Sequence, residues 1–363
     1  MNIKITDLSP DRFFVRVSED FEEKLDKAVI RNYSSYRKLA NHLAAWSGSL
    51  YAWRRKRTYP LSILTEICRL CDINLEEMQS EVIELKSHVY GKGNTGNVKS
   101  KSIYPRFPIK LTPELSSIIA HLFCDGSLSI EKRGYFHLHY YNTDRNLLDE
   151  FKKNARKTFG NLAIYESKNK GVGFVALPTP VGIILSIAVK DFNSRTCEIP
   201  EFIRNSEDLD VKKAFIRAFA DDEGSVLFNP PVRQIELSCS NRNLLSGLKE
   251  MINELEIRSD EIKHKNQRGF DFYYFYIRGY TNLKLFKEKI GFTHSSKGFK
   301  LNALLTSKQR ISYGRKESKE LVLNALKEGK NRKEISIKLN RSLNTIDYHI
   351  HLLKKSGAIK EKL

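Results

Sequence analysis

Apolar residues at Phe215, Phe219 and Ala220, with Ala218 between them, mark one buried helical face in FIRAFADDEGSV (215–226). Three acids, Asp221, Asp222 and Glu223, end that helix before Gly224. Helix C-termini prefer cations, so the arrangement opposes the helix dipole, and something other than helix propensity must hold the acids there. A second helix of this kind, IIAHLFCDGSL (118–128), ends at Asp125 and Gly126. Aligning the two on their glycines, 98 positions apart, sets Asp125 opposite Glu223 and Ala120 opposite Ala218. Each is followed by an alternating segment, YFHLHYY (135–141) or RQIELSCS (233–240), and then by nearly the same word, TDRNLL (143–148) or SNRNLL (240–245), at a shift of 97. One order of elements at one offset is an internal duplication.

Each unit reads as helix, two strands, helix, further strands and a closing helix. In the first alternating segment Phe136, Leu138 and Tyr140 fall on one face and His137, His139 and Tyr141 on the other, the period of a half-buried antiparallel strand. The chain is therefore expected to be α+β, its core two αββαββα units about a pseudo-twofold axis with an open polar and aromatic sheet face. His137, His139 and Tyr141 read as DNA-facing residues rather than metal ligands, with ordinary solvated surface as the alternative.

The flanks carry a different period. In SSYRKLANHLAAWSGSLYAWRRKRTYPLSILTEICRL (34–70), Leu39, Ala40 and Leu43 form one apolar face, AAWSGS breaks the helix, and a second and a proline-initiated third helix follow. The order resembles a helix-turn-helix of the repressor-like class. Its second helix would bring Ser49 and Tyr51 to the major groove and Arg54, Arg55, Lys56 and Arg57 to phosphates. Near the C-terminus, Leu321, Leu323 and Leu326 open a helix, EISIKL (334–339) is a short second one and SLNTIDYHIHLLKKSG (342–357) a third. This resembles a winged-helix-type helix-turn-helix, with Asn344, Thr345, Tyr348 and His349 toward bases and Lys354 and Lys355 toward phosphates. Gly, Asn, Ser and Lys between the first module and the core mark a linker. The resulting division is an all-α helix-turn-helix at 1–88, linker 89–104, core halves 105–206 and 207–306, linker 307–316, and an all-α C-terminal module at 317–363.

Charge says what these modules meet. The 363 residues carry a formal net charge of +19 at pH 7. Residues 31–60 hold seven Lys/Arg and no Asp/Glu, and residues 299–363 hold sixteen Lys/Arg against six Asp/Glu, so the two segments supply +17 of that charge. A polyanionic partner follows. The longest apolar run, 181–189, is too short to span a bilayer, which leaves nucleic acid, double-stranded DNA above all, and a cytoplasmic, DNA-associated location. Five cysteines, at 68, 71, 124, 197 and 239, suit a reducing compartment. Cys68 and Cys71 lie in a helical stretch without a second pair at zinc spacing, so they read as part of a buried stripe.

The duplication also bears on the acids. If the two motif helices pack about the pseudo-dyad, the small residues Ala120, Cys124 and Ala218 let the backbones approach and bring Asp125 and Glu223 together. Two carboxylates at close range repel unless a divalent cation joins them, and hard oxygen ligands suit Mg²⁺. A single Asp-Gly helix end is explained well enough by a solvated acid and a left-handed glycine cap. Two, at equivalent positions of a duplicated unit, favour shared chemistry.

IIAHLFCDG and IRAFADDEG resemble the paired motifs of the LAGLIDADG homing endonucleases in their single-chain form. TDRNLL and SNRNLL, EIPEFI (198–203) and IRGYTNLKLFKEKIGFTHSSKGFKL (277–301) agree with that resemblance, which covers about residues 105–306. It implies that Asp125 and Glu223 bind the metal, Mg²⁺, and that Lys297 in HSSK is the basic residue near the scissile phosphates. In the first half that role falls to Arg195, in NSRTCEIP, or to the nearby Lys190. Asp222 stands where the family usually has a small interface residue, an extra charge able to distort or supplement the metal site. The expected function is site-specific, metal-dependent cleavage of both DNA strands by a monomer that needs no protein partner, since one chain supplies both halves. The alternative is a non-cleaving transcriptional regulator built on the same core, and a third is an RNA maturase.

Overall fold

The computed structural model describes residues 1–87, 102–130, 136–169, 171–229, 232–267, 269–307, 315–339 and 341–359. They form two compact units, Met1–Leu305 and Thr306–Leu363. The architecture is α+β, and among the described residues no helix is long and apolar enough to cross a membrane.

The duplication predicted from the sequence is visible in the first unit. In the first half, helix Pro113–Cys124 leads into strands Gly126–Ile130 and Phe136–Asn142, helix Arg145–Phe159, strands Tyr165–Asn169 and Val172–Leu177, and helix Thr179–Ala188. In the second, helix Leu209–Glu223 leads into strands Gly224–Asn229 and Val232–Cys239, helix Arg242–Glu254, strands Lys263–Gln267 and Phe270–Arg278, and helix Tyr280–Lys289. Both sheets are antiparallel, and both take the same spatial order, first, second, fourth, third strand. Phe136, Leu138 and Tyr140 point into the core while His137, His139 and Tyr141 point away, as the alternation predicts.

The two motif helices, Pro113–Cys124 and Leu209–Glu223, pack on each other. Ala120 and Ala218 are buried in the contact, the Ser116 hydroxyl donates to the Val211 carbonyl at 2.8 Å, and Phe123 meets Phe215 edge-on at 6.1 Å between ring centroids. Each motif glycine is required by a close approach. A Cβ on Gly126 would lie 2.4 Å from the Leu122 Cα, and one on Gly224 2.4 Å from the Ala220 carbonyl oxygen. Gly224 has φ −85°, so it is not the left-handed cap of an ordinary helix end.

The N-terminal segment departs from the all-α expectation. Strands Phe13–Val17, Thr58–Pro60, Val82–Ser87 and Ser102–Ile103 form a four-stranded antiparallel sheet beside helices Glu19–Tyr33, Tyr36–His42, Ser47–Lys56, Leu61–Leu70 and Leu75–Ser80. The physical reason is the alternation in FFVRV, where Phe13, Val15 and Val17 are buried on one face and pair with Val82–Ser87. The stretch expected as a linker at 89–104 is also corrected at its end: Ser102–Ile103 pairs with Leu85 and Lys86, while 88–101 lie outside the described residues. Asn2–Ile3 pairs with Ile109–Lys110 and the Tyr104 N–H donates to the Phe159 carbonyl at 3.2 Å. N-terminal segment and core thus share one continuous apolar interior.

The second unit has helices Arg315–Lys327, Arg332–Leu339 and Leu343–Lys355 around Val322, Ala325, Ile335, Ile346 and Leu353. Residues 308–314, most of the expected second linker, lie outside the described residues. Among the described residues this unit has no strand, so the hairpin of a wing is absent from them.

Candidate metal and DNA-cleavage site

The acids of the opening motif separate by their partners. Asp221, 1% exposed, accepts from the backbone N–H of Thr293 at 3.1 Å and of His294 at 2.9 Å. Asp222 accepts from His121 Nδ1 at 2.8 Å, from the Tyr140 hydroxyl at 2.8 Å and from Asn142 Nδ2 at 3.2 Å. Glu223 has no hydrogen-bond partner among the described residues. Asp125, which closes the first motif helix, has one long contact, Asn142 Nδ2 at 3.3 Å. Of the four acids at the two helix ends, two are consumed by the fold and two are left over, Asp125 and Glu223.

The leftover pair is electrostatically uncomfortable. Burial, then the charges of Asp125 and Asp222, push the Glu223 carboxyl up to about 7. Asp125 is exposed as a residue, yet its carboxyl is crowded by packed neighbours. That desolvation, then the Asp222 charge, raises it to about 6. Asp221 also rises to about 7, through burial, although its two backbone donors oppose the shift. At His121 burial works against the charged form, but the adjoining Asp222 charge and hydrogen bond outweigh it and raise the imidazole above its usual value.

Lys297 resolves the conflict with the helix dipole. It lies in helix Ser295–Thr306, and its ammonium donates to the carbonyls of Ala220 and Asp222, each at 3.2 Å, and to that of Asp221. They are carbonyls of the last turn of the acidic helix end, that of Ala220 also accepting the capping N–H of Gly224. Burial lowers the Lys297 pKa, against the pull of the surrounding acids. The segment that delivers it is held from both halves. Asp221 grips it as above, and Asp144, the N-cap of Arg145–Phe159, accepts from the Ser295 N–H and hydroxyl, both at 2.9 Å.

Among the described residues the first half has no matching cation in that place. Arg195 is exposed and its guanidinium stands 5.9 Å from the Phe270 ring. Phe270 pairs with Gln267 at the tip of its hairpin, five residues along the strand from Phe275, which lies opposite Leu237 and, through it, Gly224. At about 3.3 Å per residue that is roughly 17 Å along the strand from the position level with the helix end. Lys190 is likewise exposed, with no contact to Asp125 among the described residues.

The outer sheet faces differ between halves. On the first, His139, Tyr141 and Tyr165 surround Phe174 at 5.5, 5.7 and 5.8 Å, with His137 at 6.0 Å from His139. On the second, Lys265 lies over Tyr274, and Lys263 and Arg278 over Tyr276. This second, basic and aromatic face was missed from the sequence because FYYFYIRG alternates aromatic with aromatic and hides its period.

The flanking residues are placed as follows. Ser49 is half-buried, whereas Tyr51, Arg55 and Lys56 are exposed on Ser47–Lys56. Arg54 is partly exposed but already paired, its Nε 2.7 Å and Nη2 2.5 Å from the Asp26 carboxylate, so its charge is committed within the module. Arg57 bridges to Glu19 at 3.1 Å. In the second unit Asn344, Tyr348 and Lys355 are exposed and Thr345 and Lys354 half-buried. His349, expected to face bases, is 7% exposed, because its place on the helix turns it inward with Ile346 and Leu353.

The donor set suits a hard divalent cation. Two carboxylates stand desolvated and mutually repelling, with a single long contact, Asn142 to Asp125, between them and the rest of the described residues, and a bound cation would relieve both conditions. Among the described residues no cluster of three or more His, Cys, Asp or Glu could hold a metal by itself. A cation here would therefore draw further oxygens from water and phosphate, as Mg²⁺ commonly does.

Residues 210–291 match the model of the LAGLIDADG-like domain. A curated relative, a DNA polymerase of Thermococcus sp. (strain GE8), is 19% identical over 254 residues; the match covers 69% of this chain but only 13% of that protein's length. Among solved structures, I-DmoI in complex with DNA and Mn is 15% identical with a TM-score of 0.38, covering 55% of this chain and 100% of its own. Full-length DUF199/WhiA from Thermatoga maritima is 14% identical with a TM-score of 0.36, covering 67% and 90%.

Proposed function

Since the chain carries a LAGLIDADG-like domain at residues 210–291, we propose that it is a site-specific endonuclease that hydrolyses both strands of a DNA duplex with a divalent cation such as Mg²⁺. The observation that carries this reading is the pair Asp125 and Glu223, left without structural employment at two juxtaposed helix ends while their neighbours Asp221 and Asp222 are fully engaged. When bound, the cation would acidify a water and neutralise charge on the reacting phosphodiester.

The chain's own residues do the rest. Asp125 and Glu223, one from each half, would be the cation ligands, each serving one strand, and the two halves match the local twofold of a duplex. Lys297 supplies positive charge to both acids. His137, His139 and Tyr141 on one face, and Lys263, Lys265 and Arg278 on the other, orient the duplex. Tyr51, Arg55 and Lys56, and in the second unit Asn344, Tyr348 and Lys355, are the flanking contacts, read as helix-turn-helix modules. Several modules on one duplex raise effective concentration without new chemistry. One chain supplies both acids, so a monomer suffices.

One observation favours a non-cleaving DNA-binding regulator instead. Lys297 is committed to helix carbonyls and Arg195 stands over Phe270, so neither basic residue is free beside a scissile phosphate. Incubating the protein with a random duplex library, with Mg²⁺ or with EDTA, and sequencing bound and cut molecules separates the readings. Metal-dependent double-strand cuts at one motif are expected; enrichment without cut ends would establish the regulator.

A further inference from the structure

The two leftover acids sit in unlike surroundings. Around Asp125 lies a connected polar frame. The His121 Nδ1–H and the Tyr140 hydroxyl both donate to Asp222, each at 2.8 Å. The Asn142 amide nitrogen lies within reach of Tyr140 Oη and Asp222 Oδ1, both at 3.2 Å, and of Asp125 Oδ2 at 3.3 Å. The other end of that amide is fixed by the Asp144 N–H, which donates to Asn142 Oδ1 at 2.9 Å. The NH₂ group therefore faces the acids. Tyr140 and His121 are fully packed, with their rings 4.7 Å apart.

The duplication gives each of these residues a counterpart. Gly126 pairs with Tyr140 and Gly224 with Leu237 in equivalent ladders, so Leu237 stands for Tyr140 and Cys239 for Asn142. On the motif helices Phe219 stands for His121 and Cys124 for Asp222. None of those four offers the hydroxyl, amide or carboxylate of its counterpart. Glu223 is bordered where Asp125 is framed.

We propose that Asp222, His121, Tyr140 and Asn142 are positioning residues that fix Asp125 as a cation ligand, and that the cleavage site is built with one preorganised and one unframed acid. The proposal rests on the endonuclease reading for the cation itself. Hydrogen-bonded partners of a ligating carboxylate set its orientation, and their loss typically weakens metal affinity ~10–100-fold. Asp222 thereby acquires a role through Asn142, without touching the cation. The consequence is strand asymmetry: the strand served by Asp125 depends on the frame, and the other does not.

Removing Asp222 or His121 strands a buried partner and puts the fold at risk, so the test uses Asn142→Cys, which installs what the other half carries. Mn²⁺ binding to the full-length chain is followed by loss of the free-ion EPR signal in two backgrounds, Glu223→Gln, which keeps Asp125, and Asp125→Asn, which keeps Glu223. Adding Asn142→Cys should weaken Mn²⁺ about tenfold in the first background and leave the second unchanged. Equal weakening in both would mean a merely structural role, and no weakening in either would mean that the frame does not act on the ligand; each overturns the proposal. If the unaltered chain binds no Mn²⁺, the endonuclease reading falls and the proposal with it. As a second readout, Asn142→Cys should slow nicking of one strand selectively on a cleavable duplex; equal slowing of both would contradict the asymmetry.

Discussion

Asp125 and Glu223 owe their raised pKa values to burial first and to neighbouring acids second, at about 6 and about 7. A carboxyl whose pKa is raised by folding adds stability that is complete below its unfolded value, near 4, and is lost as pH rises through the folded value. The metal-free chain should therefore lose part of its stability between about pH 4 and pH 7 through these groups. A cation takes the ionised forms, so Mn²⁺ should raise the melting temperature more at pH 8 than at pH 5.5, with proton release on binding detectable by calorimetry in two buffers. Equal shifts at both pH values would contradict ligation by these acids. The alignment of Asp125 with Glu223 was legible because both lie at one offset of a repeat. The employment of Asp222 was not, since its partner His121 lies 101 residues upstream on another helix and no local pattern encodes that pairing. His121→Leu should strand a buried charge and cost about 3–5 kcal/mol, as measured by chemical denaturation; a loss below about 1 kcal/mol would show that the pair is not structurally coupled.

Among the elements, the motif helix Leu209–Glu223 is the case where propensity and tertiary structure disagree. Its acidic end opposes its dipole, and Lys297, brought in on a segment anchored by Asp221 and Asp144, satisfies three carbonyls there. Lys297→Met would remove this donor from the Asp221 and Asp222 carbonyls, that of Ala220 keeping the Gly224 N–H, and a loss of about 1–3 kcal/mol is expected, seen as a melting temperature lower by several degrees. An unchanged melting temperature would mean that Lys297 is held for chemistry alone. The strand Phe136–Asn142 was readable from its period of two. The N-terminal sheet was not read: its strands run from two to six residues, and the basic helix Ser47–Lys56 dominates the pattern around them. The helical period marks Tyr36–His42, Ser47–Lys56 and Leu61–Leu70, and hides the short strands that pair around them.

For the whole molecule, charge and repeat were the strongest signals. The surplus of Lys and Arg sits at both ends of the chain, and DNA affinity should fall steeply with salt, by about one unit of log–log slope per phosphate contact. Geometry sorts the basic run of the first module. Arg55→Ala and Lys56→Ala should each weaken binding and reduce the salt slope by about one, whereas Arg54→Ala, losing the Asp26 bridge, should lower stability and leave the slope unchanged. A salt slope that responds to Arg54 as to Arg55 would refute that sorting. Separation of the N-terminal segment by a linker was the expectation that composition encouraged. Two-residue bridges such as Asn2–Ile3 with Ile109–Lys110 tie it to the core instead, and so short a pairing leaves no signature in the sequence.

The most direct measurement compares binding and cutting of one selected duplex by the unaltered chain, Asp125→Asn and Glu223→Gln, each with Mg²⁺ and with EDTA. Both substitutions keep shape and remove a charge that burial already disfavours, so both variants should fold and bind within about threefold of the parent, a difference of about 0.7 kcal/mol. Cutting by the parent with Mg²⁺, lost in both variants and in EDTA while binding persists, is the expected result. Binding that falls together with cutting, or cutting that survives both substitutions, would take Asp125 and Glu223 out of the chemistry.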